Sequence, residues 1–177
     1  MDNLLKNAES IDLDEGEIRD ITEGKCNILS YHNLENVSDI NDILKNGACI
    51  ILYETHYNVG HWCALFVNVE NNNIIEFFDP YGKAPDTELR YALYNLVNGK
   101  PYLTNLLEKS KYEVSYSNER LQTWDKDTNT CGRWCSLRIR LKKLEKMEFV
   151  KLFKDNKCYL PDLWATSLTW LYTEKKF

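Results

Sequence analysis

The sequence predicts an α+β domain: a small, mostly antiparallel or mixed central sheet flanked by helices. Strand-type runs cluster between residues 48 and 78, one more falls at 112–116, and helical runs lie on both sides of them. At 177 residues, with 44% apolar and 12% aromatic side chains, the chain has the size of a single domain spanning 1–177 and enough material for a real core.

Taken in order, residues 10–47 read as short helices, with Ser38 as the N-cap of a helical segment reaching Leu44. Ala48 to Tyr53 is continuously apolar, as a strand buried on both faces would be. His61 to Val69 alternates, which puts Cys63, Leu65, Val67 and Val69 on the face that carries His61. Ile74 to Phe78 follows Asn71-Asn72-Asn73, a tight-turn composition, so these two segments should form a hairpin. Pro85-Asp86-Thr87-Glu88 opens a helix expected to run through Leu89, Leu93, Leu96 and Val97 and to stop near Asn98-Gly99. A helix at 103–109 leads to a strand at 112–116, and 118–130 is a polar loop. A long helix starts near Cys131, with Trp134, Leu137, Leu141 and Leu144 on one face. Two more helices close the chain, the last carrying Leu163, Trp164, Leu168, Trp170 and Leu171.

Composition narrows the function classes. The longest purely apolar run is six residues, Ala48 to Tyr53, against roughly 20 needed to cross a bilayer. The first residues lack the basic, apolar and small-residue regions of a signal peptide, so no membrane or secreted role is expected. A net charge of −5 disfavours nucleic acid as the main ligand, and the basic stretch Arg133 to Lys146 reads as a solvated helix face. The six cysteines are expected to be reduced, with Cys49 and Cys63 acting as small hydrophobes. Cys131 and Cys135 are the one close pair, without the second pair a zinc site would want. No phosphate loop, paired metal-binding carboxylates or dinucleotide fingerprint is present, so no metal or cofactor is expected.

Cys131 is the thiol with a setting for chemistry. The polar loop delivers it to a helix start, where unpaired N–H groups and the helix dipole favour a thiolate. Gly132 would let a substrate backbone approach, and nearby N–H groups would hold an oxyanion. A buried structural cysteine at a helix start is the alternative. Among His32, His56 and His61, only His61 sits at a strand start, after Gly60 and before Trp62. Asp79 ends the partner strand, within reach of an Asp–His bond that would fix the imidazole tautomer. A plain turn residue before Pro80 is the other reading of Asp79.

Gly60-His61-Trp62, then Phe77-Phe78-Asp79-Pro80-Tyr81-Gly82, then Cys131-Gly132, in that order, resembles the adenain-type cysteine peptidases. That group includes the adenovirus maturation protease, the SUMO-specific proteases and the capsid-processing proteases of large DNA viruses. Thr128 to Trp134 looks most like members from large DNA viruses and virophages. The resemblance implies the adenain-like protease fold, with Cys131 as nucleophile, His61 as general base and Asp79 as the orienting carboxylate. It assigns Trp62 to the wall of a narrow substrate channel. Gln122, the one glutamine of the sequence, would be the oxyanion donor. It stands nine residues before Cys131, where cellular members have it six before; Asn129 is the alternative donor. The implied activity is endoproteolysis next to glycine through a thioester, on capsid-protein precursors, in the host cytoplasm and the virion. A ubiquitin-like-modifier isopeptidase and an acyltransferase on the same scaffold are the competing activities, and an inactive interaction protein is the non-enzymatic one.

Overall fold

A computed structural model describes residues 2–92, 98–155 and 160–173. Its helices are α1 (Asp2–Glu9), α2 (Glu15–Ile21), α3 (Tyr102–Lys109), α4 (Cys131–Arg140), α5 (Lys146–Lys154) and α6 (Pro161–Thr173). Its strands are β1 (Asn27–Ser30), β2 (Ala48–His56), β3 (Val59–Val67), β4 (Ile74–Phe78) and β5 (Glu113–Tyr116). They form one sheet in the order β1-β2-β3-β4-β5. The central pairs β2–β3 and β3–β4 are antiparallel, and the outer pairs β1–β2 and β4–β5 are parallel. The architecture is α+β with a mixed five-stranded sheet flanked by helices.

Both faces of the sheet are covered, which explains the unbroken apolar run of β2. Ile50, Leu52, Trp62, Ala64 and Phe66 pack beneath α2, α4, α5 and α6. Cys49, Ile51, Tyr53, Cys63 and Leu65 pack against α3 and short 3-10 turns at Tyr31–Asn36 and Ile40–Ile43. The alternation along β3 therefore separates two cores rather than core from solvent. β3 ends at Val67, and Val69 lies beyond it, exposed in the turn. Among the described residues, no helix is long and apolar enough to cross a membrane.

Several elements differ from the sequence expectation. Within 10–47, Asn27–Ser30 is a strand, paired in parallel with Cys49 to Leu52. Four residues carry too little periodicity to announce an edge strand, and the neighbouring β2 supplies the pairing. Residues 40–43 form a 3-10 turn capped by Asp39, not an α-helix capped by Ser38. The helix expected from Pro85 is a 3-10 turn at Thr87–Arg90, and Leu93, Leu96 and Val97 lie outside the described residues. α4 stops at Arg140, so Leu141 and Leu144 reach the core from the following turns.

The basic stretch is solvated only in part: Arg140 and Lys143 are exposed, whereas Arg133 and Arg138 are buried. Arg138 is fully buried and forms a bidentate pair with Glu76 of β4, Nε–Oε1 at 2.8 Å and Nη2–Oε2 at 3.0 Å. Two further N–H groups reach the carbonyls of Leu141 and Leu144, so four of the five donors are engaged and the pair fastens α4 to the sheet. The last helix is also turned from expectation. α6 points Asp162, Ala165, Thr166 and Thr169 inward and leaves Leu168 and Leu171 exposed. Its polar face is inward because it bonds to the start of α4, as described next.

Candidate active site

β3 positions His61. The β2–β3 hairpin carries a register shift between Glu54 and His56, and the strands approach so closely that a Cβ at Gly60 would sit 2.0 Å from the Tyr53 carbonyl oxygen. Only glycine fits, and His61 follows it in register with Tyr53. The last β3–β4 pair is Ala64 with Phe78, so Asp79 leaves β4 diagonally across from His61 on the same face. His61 Nε2 lies 2.8 Å from Asp79 Oδ1.

The two readings of Asp79 are both realised. Oδ1 also accepts from the Tyr81 backbone N–H at 2.8 Å, and the Gly82 N–H donates to the Asp79 carbonyl, closing a turn with Pro80 at its second position. The turn fixes the carboxylate, and the fixed carboxylate orients the imidazole. Tyr81 stacks on His61 with centroids 4.7 Å apart and planes 16° apart, which leaves the ring one orientation. With Nε2 engaged by Asp79, the other ring nitrogen is left for Cys131, which lines the same cleft. Burial is the largest influence on the imidazole and pulls its pKa down. Hydrogen bonds to Asp79 and Cys131, with the attraction of their charges, outweigh it and raise the value to about 10.

Cys131 is the first residue of α4, and Trp134 makes the first intrahelical bond, to the Thr130 carbonyl. The N–H groups of Cys131, Gly132 and Arg133 therefore have no acceptor within the helix. Thr130 occupies the N-cap but does not cap it, because its hydroxyl donates to the buried carboxylate of Asp162. Asp162 Oδ1 also accepts from Trp134 Nε1 at 2.8 Å, and Oδ2 accepts from the Thr123 N–H at 2.8 Å. One buried carboxylate thus joins the start of the Cys131 helix to the segment that carries Gln122. Gln122 is buried and donates one side-chain N–H to the Thr128 carbonyl at 3.0 Å, and its second N–H has no acceptor among the described residues.

Cys131, His61 and Gln122 line one cleft of about 370 Å³, together with Tyr81, Glu88, Tyr91, Trp124 and Asn129. The sequence reading of 61, 79, 122 and 131 is brought together in one place. Two assignments are corrected. Trp62 points to the opposite face of the sheet from His61, is 5% exposed, and donates its indole N–H to the Leu13 carbonyl at 3.2 Å. It is a core residue, because period-2 alternation sends neighbours on a strand to opposite faces. Gly132 faces the same core: a Cβ there would lie 3.2–3.3 Å from Leu13, Ile18 and Trp62, so its smallness admits α2 and β3 rather than substrate. Asn129 lines the cleft, but its amide donates to the Ser10 carbonyl. The cleft walls are instead Tyr81 and Trp124, with centroids 4.6 Å apart. Asp162, Tyr81 and Trp124 were not singled out from the sequence. Tyr81 lay within reach of the Asp79-Pro80 turn signal, whereas the bonds of Asp162 span about 30 residues and leave no local pattern.

Donor atoms of His61, Cys63 and Asp79 lie within 4.8 Å of one another, close enough to hold a metal ion. His61 and Asp79 are already bonded to each other, as a base and its orienter are. The arrangement can therefore move a proton between Cys131 and an imidazole held in one tautomer, beside N–H donors for a developing negative charge.

No known family profile matches the chain. It is 38% identical over 173 residues to uncharacterized protein V9 of the Sputnik virophage, which covers 93% of this chain and 98% of that relative.

Proposed function

We propose that this chain, which belongs to the family of the Sputnik virophage protein V9, is a cysteine endopeptidase of the adenain type. It cleaves peptide bonds next to glycine and processes capsid-protein precursors during virion maturation, in the host-cell cytoplasm and the assembling particle. The observation that carries the reading is the His61–Asp79 bond of 2.8 Å beside a Cys131 that opens a helix within the same cleft. The virophage relative supports the viral setting.

The chemistry is acyl transfer. Proton transfer from Cys131 to His61 gives a thiolate–imidazolium pair, and the sulfur attacks the scissile carbonyl carbon. The oxyanion that forms is held by the second Gln122 amide N–H and by N–H groups of the first turn of α4. Collapse expels the amine, which takes its proton from His61 and leaves a thioester on Cys131. His61 then removes a proton from water as it attacks the thioester, and the acid product leaves as the thiolate is restored.

The test is incubation of the purified protein with capsid proteins of the same genome. The expected result is cutting beside glycine that vanishes in Cys131→Ala and persists in Cys135→Ser, because Cys135 is buried with its thiol donated to the Trp62 carbonyl. Release of fluorophore from SUMO- or ubiquitin-derived substrates, with capsid proteins untouched, would favour the isopeptidase. Cleavage that survives Cys131→Ala would overturn the nucleophile.

A further inference from the structure

Glu88 is an anomaly beside this site. It is 6% exposed and lines the cleft, yet its carboxylate has no hydrogen-bond or ion-pair partner among the described residues. A carboxylate that is mostly enclosed, has no protein donor and opens on a cleft can take its partner from a ligand that enters there. Burial is also the main influence raising its pKa. The charge that acts on Glu88 most strongly is that of His61, which lines the same cleft; Arg90 and Lys83 act more weakly through space, neither lines the cleft, and Arg90 donates its Nε–H to the Thr87 carbonyl. The other acid of the cleft is Asp12, and no lysine or arginine lines it. Around these carboxylates stand three aromatic rings. Trp124 is 54% exposed and Tyr91 51%, and Trp124 lies 4.6 Å from Tyr81 and 6.3 Å from Tyr91, centroid to centroid. Exposed aromatic faces beside a carboxylate that no lysine or arginine of the cleft meets are the surroundings that attract a cationic side chain with an apolar stem.

Resting on the protease reading, we infer that the cleft selects substrates carrying a lysine or arginine at a position flanking the cleaved bond. Its cation is held by the Glu88 carboxylate, and its stem lies along Tyr81, Tyr91 and Trp124. Glycine at the bond gives access to Cys131, and the basic residue supplies selectivity. The two requirements act at different substrate positions.

Two measurements test this. In the first, wild-type protein cleaves paired peptides that differ only by lysine or norleucine, placed in turn at each position around a central glycine. The ratio of kcat/KM, lysine over norleucine, should reach about ten- to a hundredfold at one position. Glu88→Gln should bring that ratio close to one. In the second, the same pairs bind to Cys131→Ala, read by Trp124 fluorescence. The lysine peptide should bind at least about tenfold tighter, and the difference should vanish in Cys131→Ala/Glu88→Gln. Glu88→Gln should also leave the thermal midpoint little changed, since the swap keeps the side chain's shape and breaks no hydrogen bond of the carboxylate. A ratio near one at every position, or a lysine preference that survives Glu88→Gln, overturns the inference. Lysine-selective binding without cleavage of any peptide would instead overturn the protease reading and leave the basic-ligand site standing.

Discussion

Asp79 does two tasks with one oxygen, which makes it the residue to change first. Asp79→Asn keeps an acceptor for the Tyr81 N–H, so the turn and fold should persist, while the imidazole loses the partner that raises its pKa. Turnover should fall by about 10²- to 10⁴-fold, the range seen when an orienting carboxylate is neutralised. The pH dependence has a definite sign. The folded-state value of His61, about 10, lies above its ordinary value of 6.5, so its charged form stabilises the fold fully below about 6.5. That contribution is lost as the pH rises through about 10. Urea midpoints of wild type and Asp79→Asn should therefore differ most at pH 6 and converge toward pH 10, and an equal gap at both values would remove the His61–Asp79 pair from the stability balance. His61, Asp79 and Cys131 were legible in the sequence because each sits at a local signal: a glycine before a strand, a proline turn, a loop entering a helix. Tyr81 was not, since stacking on His61 follows from the path of the turn and not from the identity of the residue.

At the scale of elements, the site is held where α4, α6 and the Gln122 segment meet at Asp162. Asp162→Asn replaces one of two accepting oxygens with an NH₂ group that faces another donor, either Thr123 N–H or the Thr130–Trp134 side. If Asp162 is a positioning residue, kcat should drop by about 10- to 100-fold with KM little changed, and alkylation of Cys131 by iodoacetamide should slow. A lower thermal midpoint with both kinetic readouts intact would reduce it to a purely structural residue. Trp62 gives the opposite case. Trp62→Ala should cost about 3–5 kcal/mol in denaturant unfolding, as large core truncations do, and leave the residue preference of surviving activity unchanged. A relaxed preference around glycine would return Trp62 to the substrate channel. Helix and strand periods were readable wherever a single face was buried. They misled in α6, where an apolar count points one way and the hydrogen bonds of Asp162 and Thr169 point the helix the other.

For the whole molecule, the first and last described helices close on the site from both directions. α1 packs on α6, and its last turn reaches the loop before Cys131: the Asn129 N–H donates to the Glu9 carbonyl at 2.9 Å, and the Asn129 side chain donates to the Ser10 carbonyl at 2.8 Å. Arg133, buried in the first turn of α4, donates to the Ala8 carbonyl at 3.2 Å and to Thr169 of α6 at 2.9 Å. Nothing in residues 1–10 looks functional as sequence; their part arises from carbonyls, which every residue type carries, so no pattern could reveal it. Removing residues 1–10 should leave the sheet and both cores standing, because Leu13, Ile18 and Ile21 begin the packing beneath α4. The lost hydrogen bonds are worth about 1 kcal/mol each, which for a chain of this size lowers the thermal midpoint by roughly 5–10 °C. Turnover at 25 °C should fall further than that loss explains, since the protein is still folded there and what has loosened is the approach to Cys131. Amide exchange separates the two effects: the Asn129 N–H should lose its protection while the N–H groups of β3 keep theirs. Full activity in the truncated protein, with Asn129 unprotected, would mean that the loop before Cys131 is held from within and that α1 serves only the fold.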